Sequence, residues 1–122
     1  MAEKLVIIGS GPAGYTAGLY ASRALLEPLL FAGYASGGQL MLTSDVENYP
    51  GYPEGIQGPE MMVELRAQAE RFGTRILDRN ADSVDLSRRP FGVTSGDDSW
   101  ETEALIIATG AEAIWLDAEN EE

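Results

Sequence analysis

Leu5-Val6-Ile7-Ile8-Gly9-Ser10-Gly11-Pro12-Ala13-Gly14 is the stretch whose reading decides the fold. Four apolar residues in a row, three of them β-branched, describe a short strand buried on both faces, as in a parallel sheet. Three glycines in six positions then forbid a continuing strand and describe a tight turn. Pro12 sits near a helix start, where its missing N–H costs nothing. Residues 13–26, AGYTAGLYASRALL, read as the helix that follows, with Gly14, Ala17, Gly18 and Ala21 forming a small-residue stripe that allows close approach to a sheet. Glu27-Pro28 stops it, and Leu29-Leu30-Phe31-Ala32 is a second buried-strand candidate. The whole is a βαβ unit.

A turn of this kind, between strand and helix, is suited to a diphosphate. Gly9 and Gly11 let backbone approach the ligand, Gly14 lets helix and strand pack closely, and the first-turn N–H groups and helix dipole face the phosphates. One customary piece is missing. An Asp or Glu at the end of the second strand would accept hydrogen bonds from the adenosine ribose, but Ala32-Gly33 stands there and Glu27 precedes the strand. Ribose recognition is therefore expected from backbone groups or water, which counts against NAD more than against FAD.

Beyond residue 32 the character changes. Residues 33–59 hold six glycines (33, 37, 38, 51, 55 and 58) and three prolines (50, 53 and 59). No long regular element survives that density, yet Leu40, Met41, Leu42, Val46, Tyr49 and Tyr52 are too apolar for a solvated linker. An ordered loop packed against something is expected. Gly58-Pro59 opens a second helix, ended by Gly73, with Met61, Met62, Leu65, Ala69 and Phe72 on one face. The methionines read as core. Arg75-Ile76-Leu77 is a short third strand. From residue 82 the period becomes two, through Val84 and Leu86, Phe91 and Val93, and Trp100, Thr102 and Ala104. Ser95-Gly96-Asp97-Asp98 is the hairpin turn of a small antiparallel meander. Ala104-Leu105-Ile106-Ile107-Ala108 is expected to be a last buried strand, closed by Thr109-Gly110. Trp100 and Trp115 read as packing residues, and the acidic tail from Asp117 as solvated.

Composition excludes much chemistry. The 122 residues carry 8 Lys and Arg against 20 Asp and Glu, a formal net charge of −12, with 44% hydrophobic and 23% charged residues. That is an ordinary globular balance for one domain. There is no Cys and no His, hence no disulfide, thiolate nucleophile, imidazole base or His-ligated zinc. Lys4 is the single lysine, so no Gly-Lys-Ser/Thr phosphate loop exists. Nucleic acid and anionic membrane surfaces are poor partners for such a charge, and no apolar run reaches a membrane span of about 20 residues. The start of the chain lacks the pattern of a secretory signal, and a cytoplasmic location is expected. Asp78-x-Asn80-x-Asp82 imitates the start of a calcium loop, but Ser83 replaces the sixth-position Gly and Arg89 the twelfth-position Glu. No metal site is expected, and a bound cofactor would have to supply any reactive group.

Five segments together resemble one family: VIIGSGPAGYTAGLYASRA, GGQLMLTSDVENYPGYP, GIQGPEMMVELRAQAERFG, VDLSRRPF and ALIIATGA. In this order they resemble the N-terminal part of the FAD domain of low-molecular-weight thioredoxin reductases. The resemblance implies an α/β, Rossmann-like FAD/NAD(P)-binding three-layer ββα fold, with a parallel sheet plus a small antiparallel meander, as an incomplete domain. It assigns residues 1–116 to the N-terminal portion of the FAD domain and 117–122 to the start of a connection to an absent NADPH domain.

In that family NADPH reduces FAD, FAD reduces a Cys-x-x-Cys pair, and the pair reduces thioredoxin. Carried over motif by motif, Gly9, Ser10, Gly11, Pro12, Ala13 and Gly14 would hold the pyrophosphate. Gly33, Gly38, Gln39 and Leu40 would line the ribityl and flavin side, and Asn48 would contact the flavin ring. Ala81 would meet the adenine, and Thr109 and Gly110 would close over the dinucleotide. The Cys pair and the NADPH-binding glycine motif are absent from these 122 residues, so NADPH is not expected to bind this chain and no catalytic residue is assigned. A thioredoxin-like disulfide protein would be the partner, and members are homodimers. The alternatives are a non-catalytic nucleotide-binding module, the FAD domain of a related thioredoxin-reductase-like ferredoxin–NADP reductase, and an NAD-binding oxidoreductase domain, which the missing strand-end acid disfavours.

Overall fold

The computed structural model describes residues 1–111. Trp115, the acidic tail and the expected connection at 117–122 lie outside the described residues. Strands run over Glu3–Ile8 (β1), Leu29–Phe31 (β2), Asp45–Val46 (β3), Ile56–Gln57 (β4), Arg75–Leu77 (β5), Ser83–Asp85 (β6), Phe91–Ser95 (β7) and Asp98–Ile107 (β8). The helices are Pro12–Arg23 (α1) and Gly58–Arg71 (α2), with a 3-10 helix at Gly38–Leu42.

One six-stranded sheet runs β5-β2-β1-β8-β7-β6. Its first four strands are parallel, and the β8-β7-β6 meander is antiparallel. The period-two alternation of a strand sends its side chains to opposite faces, and β1 and β2 show this directly. Leu5, Ile7, Leu30 and Ala32 pack with Tyr15 and Ala21 of α1 and Met62 and Ala69 of α2. Val6, Leu29 and Phe31 point the other way, onto Val93 of β7, with Trp100 and Leu105 of β8 beside them. Phe31 and Trp100 meet edge to face at 5.0 Å. The meander therefore leans back across the sheet as a third layer, which gives the expected ββα order.

Small residues set the helix-to-sheet distance. A side chain on Gly18 would crowd Thr74, whose hydroxyl instead forms a buried 2.7 Å hydrogen bond with Ser22. α1 ends at Arg23, three residues before the sequence pattern stops, because Leu25 and Glu27 take left-handed backbone. Met61 and Met62 are core, as their helical spacing indicates. Phe72 is not: it lies at the surface between the guanidiniums of Arg23 and Arg71, 5.2 and 5.3 Å from its ring.

The glycine-rich loop is ordered by three short elements, the 3-10 helix and the antiparallel pair β3–β4. Among the described residues it packs against the start of α2 and meets the β1–α1 turn, where Gly37 N–H donates to the Ser10 hydroxyl. At the start of α2, Gly58 leaves room for the carbonyls of Leu40 and Thr43, which a Cβ would overlap.

One expectation fails. Ala104–Ile107 is not a buried strand. It is the second half of a single ten-residue strand, and Ile106 and Ile107 are 38% and 59% exposed. Its backbone is paired with β1 and Leu105 packs against the meander side, but α1 and α2 pack on β1, β2 and β5, and Ile106 and Ile107 stay exposed among the described residues.

Candidate functional site

The first turn of α1 opens into a cleft of about 840 Å³. It lies at the carboxyl ends of the parallel strands, where such sheets place their ligands. Five chain segments build it: the β1–α1 turn, the residues after β2, the 3-10 helix, the residues after β5 and those after β8. Of the residues singled out from the sequence, Gly9, Ser10, Gly11, Pro12, Ala13, Gly33, Gly38, Gln39, Leu40, Ala81, Thr109 and Gly110 all line this one cleft. Gly14 and Asn48 do not line it. Gly14 lies beneath it, where any Cβ would overlap the carbonyl of Gly9. Asn48 is an exposed residue two positions beyond β3.

Three glycines in the turn answer to different constraints. Gly9 has φ +125°, and a Cβ there would overlap the carbonyl oxygen of Ala108, just past β8. Gly9 and Gly14 are thus explained by the fold itself. Gly11 is not. Its φ is −77°, a value open to any residue, and no atom lies within 4 Å of where its Cβ would stand. Internal packing would accept a side chain there, and that side chain would occupy the cleft.

The electrostatics suit an anion bound by backbone. Among the residues lining the cleft there is no Lys or Arg, and Asp82 is the one formal charge. Gly11 caps α1 through its carbonyl, which accepts from Tyr15 N–H at 3.1 Å, but it brings no capping side chain. No acidic residue sits in the first turn. The orphan N–H groups of that turn, with the positive end of the helix dipole, are the groups suited to a phosphate.

The Ser10 hydroxyl is committed within the protein. Buried, it donates to Ala32 O at 2.7 Å and accepts from Gly37 N–H at 3.0 Å. It ties the glycine turn to the end of β2 and to the start of the 3-10 helix, so the Ser10 backbone is what remains for a ligand. Gln39 bridges the cleft, its amide donating to Ala111 O at 2.9 Å. Below the turn, buried Tyr15 keeps its proton more firmly than an exposed tyrosine because of desolvation, an effect the Arg66 guanidinium partly offsets. Arg66 grips Asp78 with two bonds of 2.7 and 2.9 Å and Glu70 with a third of 3.1 Å, fixing α2 to the residue after β5. That pairing holds the Asp78 carboxyl below the usual carboxylate range.

The calcium-like Asp78-x-Asn80-x-Asp82 run resolves into three separate anchors. Asp78 takes Arg66, Asn80 accepts from Tyr34 N–H at 3.1 Å, and Asp82 accepts from Gly96 N–H at 2.6 Å. No cluster of potential metal ligands occurs among the described residues. The sequence reading passed over Asn80 as a cleft residue because it belongs to no glycine motif. Its position three residues past β5 places it beside the end of β2 only through the pairing of those two strands, which no local signal reports.

Comparison with known proteins gives this arrangement a family. Residues 3–122 match the pyridine nucleotide-disulphide oxidoreductase family, and the chain belongs to it. Its relatives carry a narrower name. Thioredoxin reductase of Chlamydia trachomatis serovar D is 58% identical over 113 residues, covering 90% of this chain and 36% of that protein. Thioredoxin reductase of Vibrio cholerae is 52% identical over 120 residues, covering 98% of this chain and 38% of that protein. Among solved structures, the thioredoxin reductase from Giardia duodenalis superposes with a TM-score of 0.86 at 44% identity, over 97% of this chain and 38% of that one. A ferredoxin-flavin thioredoxin reductase from Clostridium acetobutylicum gives 0.83 at 25% identity, over 99% and 42%. The resemblance read from the five motifs is borne out. The chain spans somewhat over a third of the length of the relatives it matches.

Proposed function

We propose that this chain is the FAD-binding portion of an NADPH-dependent thioredoxin-disulfide reductase, and that these 122 residues alone do not reduce disulfides. The observation that carries the first clause is Gly11: a glycine the fold does not require, facing a cleft free of basic side chains at a helix start with no capping side chain. A diphosphate lying against bare backbone supplies the missing reason. The turn at 9–13 would hold that diphosphate, Gly33, Asn80 and Ala81 the adenosine end, and Gly38, Gln39 and Leu40 the ribityl side. FAD, when bound, supplies the two-electron carrier that these side chains lack. The residues themselves bind and orient it.

The second clause rests on the absence of Cys, since a dithiol is needed to pass electrons to a thioredoxin-like partner. That partner belongs to the protein in which the Cys pair and the nicotinamide site reside. No described helix is long and apolar enough to cross a membrane, and the reading places the protein in the cytoplasm.

Purified protein should be yellow and release FAD identifiable by mass spectrometry. Gly11→Val should keep the far-UV circular dichroism and weaken flavin binding at least about tenfold, since a branched side chain overpacks the ligand rather than the protein. A colourless protein indifferent to FAD and ADP overturns the assignment. NADPH-dependent disulfide turnover by the 122-residue chain refutes the second clause.

A further inference from the structure

Ala32 leaves this cleft without the strand-end carboxylate that reads an adenosine ribose in many dinucleotide folds. A different strand supplies a polar group at the same place. Asn80 follows β5, the neighbour of β2, and β5 is held in register with it. Ala32 N–H donates to Leu77 O at 2.8 Å and Gly33 N–H to Arg79 O at 3.0 Å, so the chain after β5 stays alongside the chain after β2. Asn80 is thereby brought against Gly33, so closely that a Cβ on Gly33 would stand 3.0 Å from its Oδ1.

The orientation of the amide follows from its partner. Tyr34 N–H can only donate, so the atom it meets at 3.1 Å is the oxygen of Asn80. The NH₂ end has no protein partner among the described residues, and Asn80 lines the cleft. A donor with its acceptor end anchored is a preorganised group: it reaches a ligand without first being ordered.

We propose that Asn80 reads the adenosine ribose of the bound dinucleotide, its Nδ2 donating to a ribose hydroxyl oxygen in place of the missing carboxylate. This rests on the FAD reading above, and the test separates the two. The measurement is binding of ADP, 2′-deoxy-ADP and 3′-deoxy-ADP, with FAD as reference, to the intact protein stripped of flavin. Wild type should bind ADP about 3- to 10-fold more tightly than one of the deoxy analogues, the range set by one neutral hydrogen bond.

Asn80→Ala should lose that preference. Asn80→Asp keeps an acceptor for Tyr34 N–H and offers a carboxylate that accepts from the same hydroxyl, so the preference should survive. If Asn80 only anchors the loop, Asn80→Ala weakens all three nucleotides equally and keeps the preference, and the proposal falls. It falls also if wild type binds FAD and ADP but does not distinguish the deoxy analogues. Failure of wild type to bind FAD or ADP removes the FAD reading itself.

Discussion

β2 and β8 flank the same strand, β1, and their sequences carry nearly the same message. Leu29-Leu30-Phe31 and Leu105-Ile106-Ile107 are both short apolar runs, and both pair in parallel with β1. Yet all three residues of β2 are buried, whereas Ile106 and Ile107 are exposed and Leu105 is half-buried. The difference lies in what covers them. β2 has helices on one face and the meander on the other. β8 spends its first half pairing with β7 and carries its second half past the end of that strand. A hydrophobic run reports that a strand can be buried, and the layers above it decide whether it is.

The contrast can be broken most severely at Phe31. It is 1% exposed between Val6, Val93 and Trp100, so Phe31→Ala should cost about 3–5 kcal/mol in denaturant unfolding, with the cavity left behind adding to the lost transfer energy. A loss below about 1 kcal/mol would mean that the meander does not close over β2. Ile107→Ala, on the same measurement, should cost under about 1 kcal/mol, because most of its side chain already meets water. A cost approaching that of Phe31→Ala would show that the β8 flank is covered in the intact protein by residues outside the described set.

The smallest effect concerns the pin that keeps α2 over the β2 flank. Asp78→Asn removes the partner of Arg66, and since the Asp78 side chain is 58% exposed, the cost should stay under about 1 kcal/mol at neutral pH. Its pH dependence has a defined sign. The folded-state carboxyl titrates below its unfolded value, so its contribution is present above the ordinary Asp range and is lost as pH falls through the lower folded value. Wild type and Asp78→Asn should therefore differ at pH 7 and converge as pH falls through the lowered folded-state value. Parallel stability curves over that range would show that the ion pair contributes nothing.

Much of the candidate site is legible in the sequence. Gly9, Gly11 and Gly14 between a β-branched run and a small-residue helix give the turn through local backbone rules alone. The motifs that resembled thioredoxin reductase then drew in Gln39, Ala81, Thr109 and Gly110, which are remote in sequence and adjacent in the cleft. Ser10 was assigned from its motif position, but where its hydroxyl points depends on Ala32 and Gly37, and no local rule reports such partners. Asn80 was legible only as part of a false calcium pattern, because spacing along the chain says nothing about which neighbouring strand a residue will face.

Local sequence determined the strand–turn–helix that starts the fold, the period-two meander, the methionine face of α2 and the absence of thiol and imidazole chemistry. These follow from backbone sterics, side-chain periodicity and composition, which act within a few residues. Tertiary structure alone decided that β2 is covered and Ile106 and Ile107 of β8 are not, that the meander forms a third layer, and that the Asn80 amide, after β5, stands beside Gly33 at the end of β2. Each depends on contacts between segments tens of residues apart, and those contacts exist only once the sheet has set its order.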